Sequence, residues 1–215
     1  MASLELKKLR KAHGPMARLS RAAGPAAVFL SEFVKHPAMI GSIIPTSPVV
    51  VRAVLDAIDW STTRLFVEYG PGVGTFTRPA LERMRSDATL IAIDTNERFV
   101  RYLNADISDV RFRAVLGSAV DVESIIRASG FTHADHILSG LPFSTLPAGV
   151  GPAIAAATAR ALTPGGAFHV YQYSSYVTRL LRPAFAQIES DFVWLNVPPC
   201  RIFRASNGQA LAQAA

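Results

Sequence analysis

Three alternating glycines directly after an apolar stretch constrain the fold of this chain more than any other feature. Residues 65–69 (LFVEY) lead into residues 70–74 (GPGVG), and a helical pattern begins near Phe76. Glycine permits a tight turn and lets a ligand approach the backbone closely. The dinucleotide fingerprint G-x-G-x-x-G requires a third glycine where this chain has Thr75. The order here is E-x-G-x-G-x-G, and Glu68 could accept a hydrogen bond from a cationic amino group of a ligand.

Strand-like and helical stretches alternate through most of the chain. Strands are predicted at 64–69, 89–94, 110–115, 136–139 and 167–173, and helices at 48–59, 76–85, 97–105, 122–128 and 148–162. Alternation with apolar strands indicates a parallel sheet covered by helices on both faces. Residues 192–196 and 201–204 predict a closing antiparallel hairpin. The predicted fold class is α/β, with a mostly parallel seven-stranded sheet, a C-terminal antiparallel hairpin and N-terminal helices.

A second acid ends the next predicted strand. Residues 90–93 (LIAI) lead to Asp94, twenty positions beyond Gly74. A carboxylate at this place can accept hydrogen bonds from both hydroxyls of a ribose. Glu68 and Asp94 could instead be solvated residues at strand ends. The two acids, the glycines and their order together favour a nucleoside-binding site.

These motifs resemble the class I S-adenosylmethionine-dependent methyltransferases, whose fold is Rossmann-like. The resemblance implies S-adenosyl-L-methionine as cofactor, with its methionine part at the glycine loop and its ribose at Asp94. The cofactor-binding residues implied are Thr46, Ser47, Glu68, Gly70, Gly72, Gly74, Asp94, Thr95, Gly117, Ser118, Ala119 and Ser139. Ser118 stands where the family often has an acid for the adenine amino group, and a simple turn at Gly117–Ser118 is the alternative. For Ser47, the alternative is a helix N-cap before Pro48.

The fourth predicted strand ends in residues 139–143 (SGLPF). This segment resembles the N-[LI]-P-[YF] loop of N-methyltransferases that modify exocyclic amines, notably adenine in rRNA. Gly140 stands in place of the asparagine. The side-chain acceptor is therefore missing, and a roomier site is expected. A flat nucleobase held by its edge is correspondingly disfavoured.

Residues 26–204 as a whole resemble the bacterial phospholipid N-methyltransferases. The resemblance rests on residues 29–47, the glycine loop, residues 139–142 (SGLP) and residues 196–199 (NVPP). Members methylate phosphatidylethanolamine stepwise toward phosphatidylcholine, or the amine of ornithine lipids, at the cytoplasmic membrane face. The resemblance implies a phosphatidylethanolamine N-methyltransferase. The alternatives are an ornithine-lipid N-methyltransferase, an rRNA adenine-type or other nucleic-acid N-methyltransferase, and a non-catalytic cofactor-binding membrane-interaction protein.

Methyl transfer to nitrogen requires a free amine and neither a protein nucleophile nor a metal. Near pH 7 only about one primary amine in a thousand is the free base. We expect the carbonyls of Gly140 and Leu141 to favour deprotonation, together with Tyr171, Tyr173 or Tyr176. Tyr176 is preferred because it lies past the strand end. The predicted substrate contacts are Pro142, Phe143 and Arg179, with Arg182 as the alternative partner for a phosphate.

Positive charge is concentrated in the first 21 residues of a chain whose net charge is +6. The basic residues there are Lys7, Lys8, Arg10, Lys11, Arg18 and Arg21, against the single acid Glu5. This pattern, with a thin apolar face, predicts an amphipathic helix on an anionic membrane surface. A solvated basic helix and an RNA-binding arm are the alternatives.

The predicted organisation is a membrane-surface helix over 1–24, a helical cap over 25–60, the catalytic domain over 61–207 and a tail over 208–215. A single cysteine, Cys200, excludes an intrachain disulfide, and the scattered histidines show no metal-ligand spacing. Glycines and prolines interrupt the uncharged segment 136–159, so it does not read as a membrane span. We expect a monomer, cytoplasmic and peripheral at the inner face of the cytoplasmic membrane, that binds a phospholipid substrate and no nucleic acid.

Overall fold

A computed structural model describes residues 46–196 and 199–208 of the chain. The strands are β1 (Leu65–Tyr69), β2 (Thr89–Asp94), β3 (Phe112–Leu116), β4 (Ala134–Ser139), β5 (Leu162–Gln172), β6 (Gln187–Val193) and β7 (Cys200–Ser206). The helices are α1 (Pro48–Leu55), α2 (Thr77–Arg83), α3 (Glu97–Asp106), α4 (Val122–Ala128), α5 (Val150–Ala161) and α6 (Val177–Leu181), and a 3-10 turn covers Ala119–Asp121.

The strands form one seven-stranded sheet in the order β3-β2-β1-β4-β5-β7-β6. Strands β1 to β5 pair in parallel, whereas β7 runs antiparallel to both β5 and β6. The predicted fold class is therefore confirmed. The chain leaves β1 on one side for β2 and returns on the other side for β4. This reversal places a crevice at the carboxyl ends of β1 and β4, where ligands of open α/β sheets bind.

Apolar strands create two cores, one on each face of the sheet. Helices α1, α2 and α3 cover one face, where Phe66 and Leu138 are buried. Helices α4, α5 and α6 cover the other face, where Tyr69 and Phe168 are buried. Every residue of β1 is buried because the strand is central and covered on both sides. The result is a rigid platform for the loops at the crevice.

The ends of several elements differ from the sequence-based expectation. β3 starts at Phe112 rather than at Val110, which is 100% exposed, because the Asp109 carboxylate accepts from the backbone N–H of Arg111 at 2.9 Å and closes a turn. β6 covers Gln187–Val193, although only its last two residues were expected to be extended. Because its residues are mostly polar and exposed, this edge strand lacks the apolar alternation by which strands are recognised in a sequence.

Part of the predicted organisation lies outside the described residues. The membrane-surface helix, the cap before residue 46 and the tail after residue 208 therefore stay predictions. Of the cap, α1 is described, and the N-cap prediction is confirmed because Ser47 Oγ accepts from the Val50 backbone N–H at 3.4 Å, with Pro48 in the first turn.

Among the described residues, no helix combines the length and apolar character needed to span a membrane. In the same part of the chain, no group of three or more His, Cys, Asp or Glu side chains could hold a metal ion.

Candidate active site

The glycine loop takes a backbone conformation that other residues rarely adopt. Gly70, Gly72 and Gly74 have φ values of 63°, 56° and 86°. A Cβ added at Gly72 would meet no atom within 4 Å, so this part of the backbone faces open space that a ligand could use. A Cβ at Gly74 would instead lie 2.5 Å from Arg78 Nη1. The loop therefore offers bare backbone at its middle and packs tightly against the next helix at its end.

Glu68, on β1, is a buried carboxyl group directly before this loop. Its side chain accepts a hydrogen bond from Thr77 Oγ1 at 2.6 Å, and the residue is 2% exposed. The pKa of Glu68 is raised to about 7, mainly by burial and to a smaller extent by the nearby Asp94 carboxylate, while the Thr77 hydrogen bond and Arg78 oppose the shift. A cationic ligand group beside Glu68 would favour the ionised form. The site is thus suited to a ligand's ammonium group.

Asp94 ends β2 beside the glycine loop. Its Oδ1 accepts from the Asn96 backbone N–H at 2.8 Å, and backbone N–H groups of Gly72 and Thr95 also stabilise the carboxylate. Burial is nevertheless the larger effect and raises the pKa of Asp94 to about 6. These bonds hold the carboxylate in one orientation at the strand end, as recognition of ribose hydroxyls requires.

The segment after β3 makes mostly internal contacts. Ser118 Oγ accepts from the Val120 backbone N–H at 3.3 Å and caps the 3-10 turn, and Ala119 is buried. A Cβ at Gly117 would lie 3.1 Å from Ile125 Cδ1. An adenine contact at residues 117–119 therefore stays a prediction. Backbone groups would have to make it, because the Ser118 side chain caps the turn.

Leu116 is a residue of this region that the sequence analysis missed. It is paired in register with Asp94 and is 54% exposed. An exposed apolar side chain next to the ribose-type carboxylate suits the flat face of a base. The available signal was its place at the end of a strand, directly before Gly117.

The loop after β4 lies directly against the glycine loop. A Cβ at Gly140 would lie 3.1 Å from the Gly70 carbonyl oxygen, and one at Gly70 would lie 3.0 Å from Leu141 Cδ2. Ser139 is fully buried, and its Oγ accepts from the Leu141 backbone N–H at 3.2 Å. Ser139 therefore shapes the turn. The tertiary fold brings the two segments together as the sequence motifs predicted.

The expectation of a roomier site at Gly140 is wrong. A Cβ at Gly140 would lie only 2.8 Å from the Tyr171 hydroxyl oxygen. The Tyr171 hydroxyl is hydrogen-bonded to the Thr46 side chain, and its ring packs on Phe76 with ring centroids 4.7 Å apart. A tyrosine hydroxyl thus fills the space in which the family's asparagine side chain would begin.

Tyr171, rather than the preferred Tyr176, is the tyrosine that meets Gly140. Tyr171 lies within β5, beside β4, whereas Tyr176 is the exposed residue directly before the short helix α6. Arg179 and Arg182 are exposed on or just after α6. No described contact joins Tyr176 or Arg179 to the Gly140 turn, so their substrate roles stay predictions.

Two other residues of the substrate loop have structural partners. Phe143 is buried and packs edge-on against Phe168 with ring centroids 6.5 Å apart, so its side chain supports the loop from the core and does not face a substrate. The Leu141 carbonyl accepts from Gln172 Nε2 at 2.6 Å and from the Phe143 backbone N–H at 3.0 Å. The Leu141 carbonyl is thus already occupied by two donors within the protein. Of the two predicted acceptors, Gly140 is the better candidate.

Comparison with known proteins gives one relative by sequence and many by structure. No family model matches the chain. An ornithine lipid N-methyltransferase from Singulisphaera acidiphila is 29% identical over 174 residues, which are 80% of this chain and 91% of that protein.

Among solved structures, a TehB-like SAM-dependent methyltransferase from Corynebacterium glutamicum matches with a TM-score of 0.60 and 12% identity, over 84% of this chain and 97% of that one. The N-methyltransferase NodS from Bradyrhizobium japonicum matches with a TM-score of 0.59 and 14% identity, over 76% of this chain and 98% of that one. At these identities, the structural likeness shows the fold alone.

The residues at the crevice fit S-adenosylmethionine as cofactor. Bare backbone at Gly72 leaves room for the ligand, Glu68 suits its amino group, and Asp94 suits its ribose. The strand order and the glycine loop give this chain the fold of the class I S-adenosylmethionine-dependent methyltransferases, and its sequence is similar to that of an ornithine lipid N-methyltransferase.

Proposed function

We propose that this protein transfers methyl groups from S-adenosylmethionine to the primary amine of a membrane lipid. The observation that carries the proposal is the contact between the Gly140 turn, the glycine loop and the Tyr171 hydroxyl. The relative from Singulisphaera acidiphila favours ornithine lipid as the acceptor, and the motif resemblance favours phosphatidylethanolamine. Both lipids present a primary amine on a flexible headgroup, so one acceptor site could serve either.

The same contact argues against a nucleobase acceptor. A loop that reads a base edge needs a side-chain acceptor at position 140, but even a Cβ there would collide with Tyr171. What remains for an incoming amine is a backbone carbonyl and a phenol oxygen. These groups suit a small, flexible amine better than a planar ring.

The cofactor supplies an electrophilic methyl group, and the protein must present an amine lone pair to it. Because only about one primary amine in a thousand is unprotonated near pH 7, groups that bind the neutral amine raise the reactive fraction. The Gly140 carbonyl can accept a hydrogen bond from an amine N–H and orient its lone pair. Such orientation is the main contribution a protein makes to a displacement of this kind.

Tyr171 is proposed to orient the amine and not to remove its proton. Burial raises the pKa of the Tyr171 hydroxyl above its ordinary value, so the group remains protonated at neutral pH. Its bond to the Thr46 side chain holds the oxygen in place. A neutral, fixed hydroxyl can exchange hydrogen bonds with the substrate without adding a charge.

The lipid would be reached at the membrane surface. The basic residues of the first 21 positions are proposed to hold the protein on anionic lipid at the inner face of the cytoplasmic membrane, since each is worth about 1 kcal/mol near such a surface. Arg179 or Arg182 is proposed to pair with the acidic group of the headgroup. Deleting residues 1–24 should weaken co-sedimentation with anionic vesicles in low salt by at least about tenfold, and unchanged sedimentation would refute the anchor.

Methyl incorporation tests the function directly. The full chain is incubated with methyl-labelled cofactor and, in separate reactions, vesicles containing phosphatidylethanolamine, vesicles containing ornithine lipid, and ribosomal RNA. Label is expected in at least one lipid and not in RNA. Asp94→Asn should lose incorporation, whereas Asp87→Asn, which removes an exposed carboxylate paired with Arg85, should retain it.

Label in RNA and in neither lipid would overturn the proposal. Label in one lipid alone identifies the acceptor, and the number of methyl groups per headgroup follows from mass spectrometry of the product.

A further inference from the structure

The turn that joins β6 and β7 exposes two large apolar side chains next to each other. Trp194 is 75% exposed and Leu195 is 80% exposed. Single exposed apolar residues are ordinary, but a tryptophan and a leucine together at a projecting turn leave considerable apolar area in water. Such a turn gains free energy if an apolar partner covers it.

Strand register places this turn at the carboxyl ends of the parallel strands, which is the end of the sheet where the active-site crevice lies. Arg201 of β7 pairs with Gln172 at the carboxyl end of β5 and also with Phe192 of β6. The last pair before the turn is Val193 with Cys200. The turn therefore projects past the carboxyl end of β5. Because β4 and β5 are parallel, the Gly140 turn lies at this same end of the sheet.

The turn is held by its own packing and carries a positive charge at its base. The rings of Phe192 and Trp194 are in edge contact with centroids 4.2 Å apart, and the Arg201 guanidinium lies 5.0 Å from the centre of the Phe192 ring. Of the two acids of β6, Asp191 is exposed one strand pair further from the turn than Arg201, and Glu189 is paired with Arg204 at 3.3 Å. A cation beside an exposed tryptophan complements an anionic lipid surface, where phosphates lie next to hydrocarbon.

Two further aromatic residues extend this surface on the neighbouring loop. Tyr173 and Tyr176 follow β5 and are exposed. We name the set the aromatic rim, and it comprises Tyr173, Tyr176, Trp194, Leu195 and Arg201. Tyrosine and tryptophan have apolar bodies with polar tips and concentrate at membrane–water interfaces.

We propose that the aromatic rim inserts into the interfacial layer of an anionic phospholipid bilayer, so that the open edge of the active site faces the membrane. The proposal rests on the proposed function, since a lipid acceptor is what makes this orientation useful. It assigns a second membrane contact, separate from the basic residues near the start of the chain. A headgroup amine could then reach the Gly140 turn while its acyl chains stay in the bilayer.

Vesicle partition of paired variants tests the rim. We compare the full-length parent with Trp194→Ser/Leu195→Ser and with Val110→Ser, using vesicles that contain anionic phospholipid and no cofactor. Val110 is fully exposed and precedes β3, the outer strand on the other side of the sheet from β6. Its substitution therefore controls for the loss of an exposed apolar side chain. The double variant should partition at least about tenfold more weakly, and Val110→Ser should match the parent. Circular dichroism and thermal unfolding check that both variants fold.

Tryptophan fluorescence gives a second readout that is specific to the rim, because the basic segment near the start of the chain contains no tryptophan. The chain has two tryptophans, so Trp60→Phe leaves Trp194 as the sole reporter. Vesicles should shift its emission to the blue, and lipids brominated on their acyl chains should quench it.

Three results would overturn the proposal. Equal partition of the parent and the double variant would do so, as would Trp194 emission unaffected by vesicles. Shielding of Trp194 from acrylamide before vesicles are added would show that a segment of this chain or a second copy covers the rim. Since none of these measurements involves turnover, failure of the rim is distinguishable from failure of lipid methylation.

Discussion

The two sides of the active-site crevice are built in different ways. On the cofactor side, Glu68 and the glycine loop are contiguous in the chain, and Asp94 is joined to them by direct pairing of β1 with β2. On the acceptor side, Thr46, Gly140 and Tyr171 come from three distant parts of the chain. Local sequence therefore determines the first side, and packing of the whole sheet determines the second.

Electrostatics distinguishes the sides as well. The cofactor side buries two carboxyl groups whose pKa values are raised to about 7 and about 6. The groups proposed to bind the acceptor amine are a backbone carbonyl and a hydroxyl, which are neutral. A charged, enclosed cofactor side suits a cationic nucleoside, and a neutral acceptor side suits an amine that must react uncharged. We therefore expect cofactor affinity and acceptor choice to respond to different substitutions.

Replacing Asp94 should give the largest effect. Asp94→Asn removes the charge of the carboxylate that is predicted to accept from the ribose hydroxyls, and charged hydrogen bonds are worth about 1.5–3 kcal/mol, so cofactor affinity should fall by roughly 10- to 100-fold. Titration calorimetry measures this. The exposed variant Asp87→Asn serves as the control and should bind as the parent does. Parent-like affinity of a folded Asp94→Asn variant would contradict the cofactor assignment.

Glu68 should show opposite effects on stability and on binding. Its folded pKa of about 7 lies above the ordinary glutamate pKa of 4.5, so its contribution to stability is full below pH 4.5 and is lost as the pH rises through 7. Glu68→Gln should therefore stabilise the cofactor-free protein by on the order of 2–3 kcal/mol at pH 8 and by less than about 1 kcal/mol at pH 5. Cofactor affinity should nevertheless fall at pH 8.

Urea unfolding at the two pH values and calorimetry check the Glu68 prediction. Glu82→Gln is a matched control, because Glu82 is exposed on α2. If Glu68→Gln were less stable than the parent at pH 8, the carboxylate would be better compensated than its burial indicates.

A double-mutant cycle tests the acceptor side. Gly140→Ala forces a Cβ to within 2.8 Å of the Tyr171 hydroxyl, and such overpacking costs about 1–3 kcal/mol, so methyl transfer should fall about tenfold or more. Tyr171→Phe removes that oxygen, and the nearest ring atom is then 3.5 Å from the Cβ. The double variant should therefore lose less than the sum of the two single effects.

The readout is the initial rate of lipid methylation at saturating cofactor, with cofactor affinity measured in parallel. If the losses in methylation rate were additive, Tyr171 and Gly140 would not influence the reaction through their mutual contact. A large loss of cofactor affinity in Gly140→Ala would instead place the effect on the cofactor side.

A matched glycine pair should give the smallest effect. Gly74 and Gly130 have φ values of 86° and 87°, but a Cβ at Gly74 would meet Arg78 and Leu103, whereas one at Gly130 would meet nothing within 4 Å. Both alanine variants carry the same backbone strain. Gly74→Ala should therefore unfold about 1 kcal/mol more easily than Gly130→Ala in chemical denaturation. Equal losses of stability would mean that position 74 requires glycine only for its positive φ, and not for close packing against Arg78 and Leu103.

The sequence predicted the fold class well because apolar strands and glycine turns are local signals. The bounds of β2 and α4 were predicted residue for residue, and the end of α3 was predicted to within one residue. The edge strand β6 was mostly missed, since its exposed positions carry polar residues such as Glu189 and Asp191. An edge strand acquires its conformation from pairing with β7, which local sequence does not report.

Sequence alone determined the cofactor side, because a glycine loop and a strand-end acid act through backbone conformation and short-range order. It also predicted an acceptor turn at Gly140, and the fold places that turn against the glycine loop. Only the tertiary structure decided that Tyr171 fills the space beside Gly140, that Phe143 belongs to the core, and that Trp194 shares an edge with the active site. Those facts depend on which strands become neighbours, and that outcome is set by packing between residues far apart in the chain.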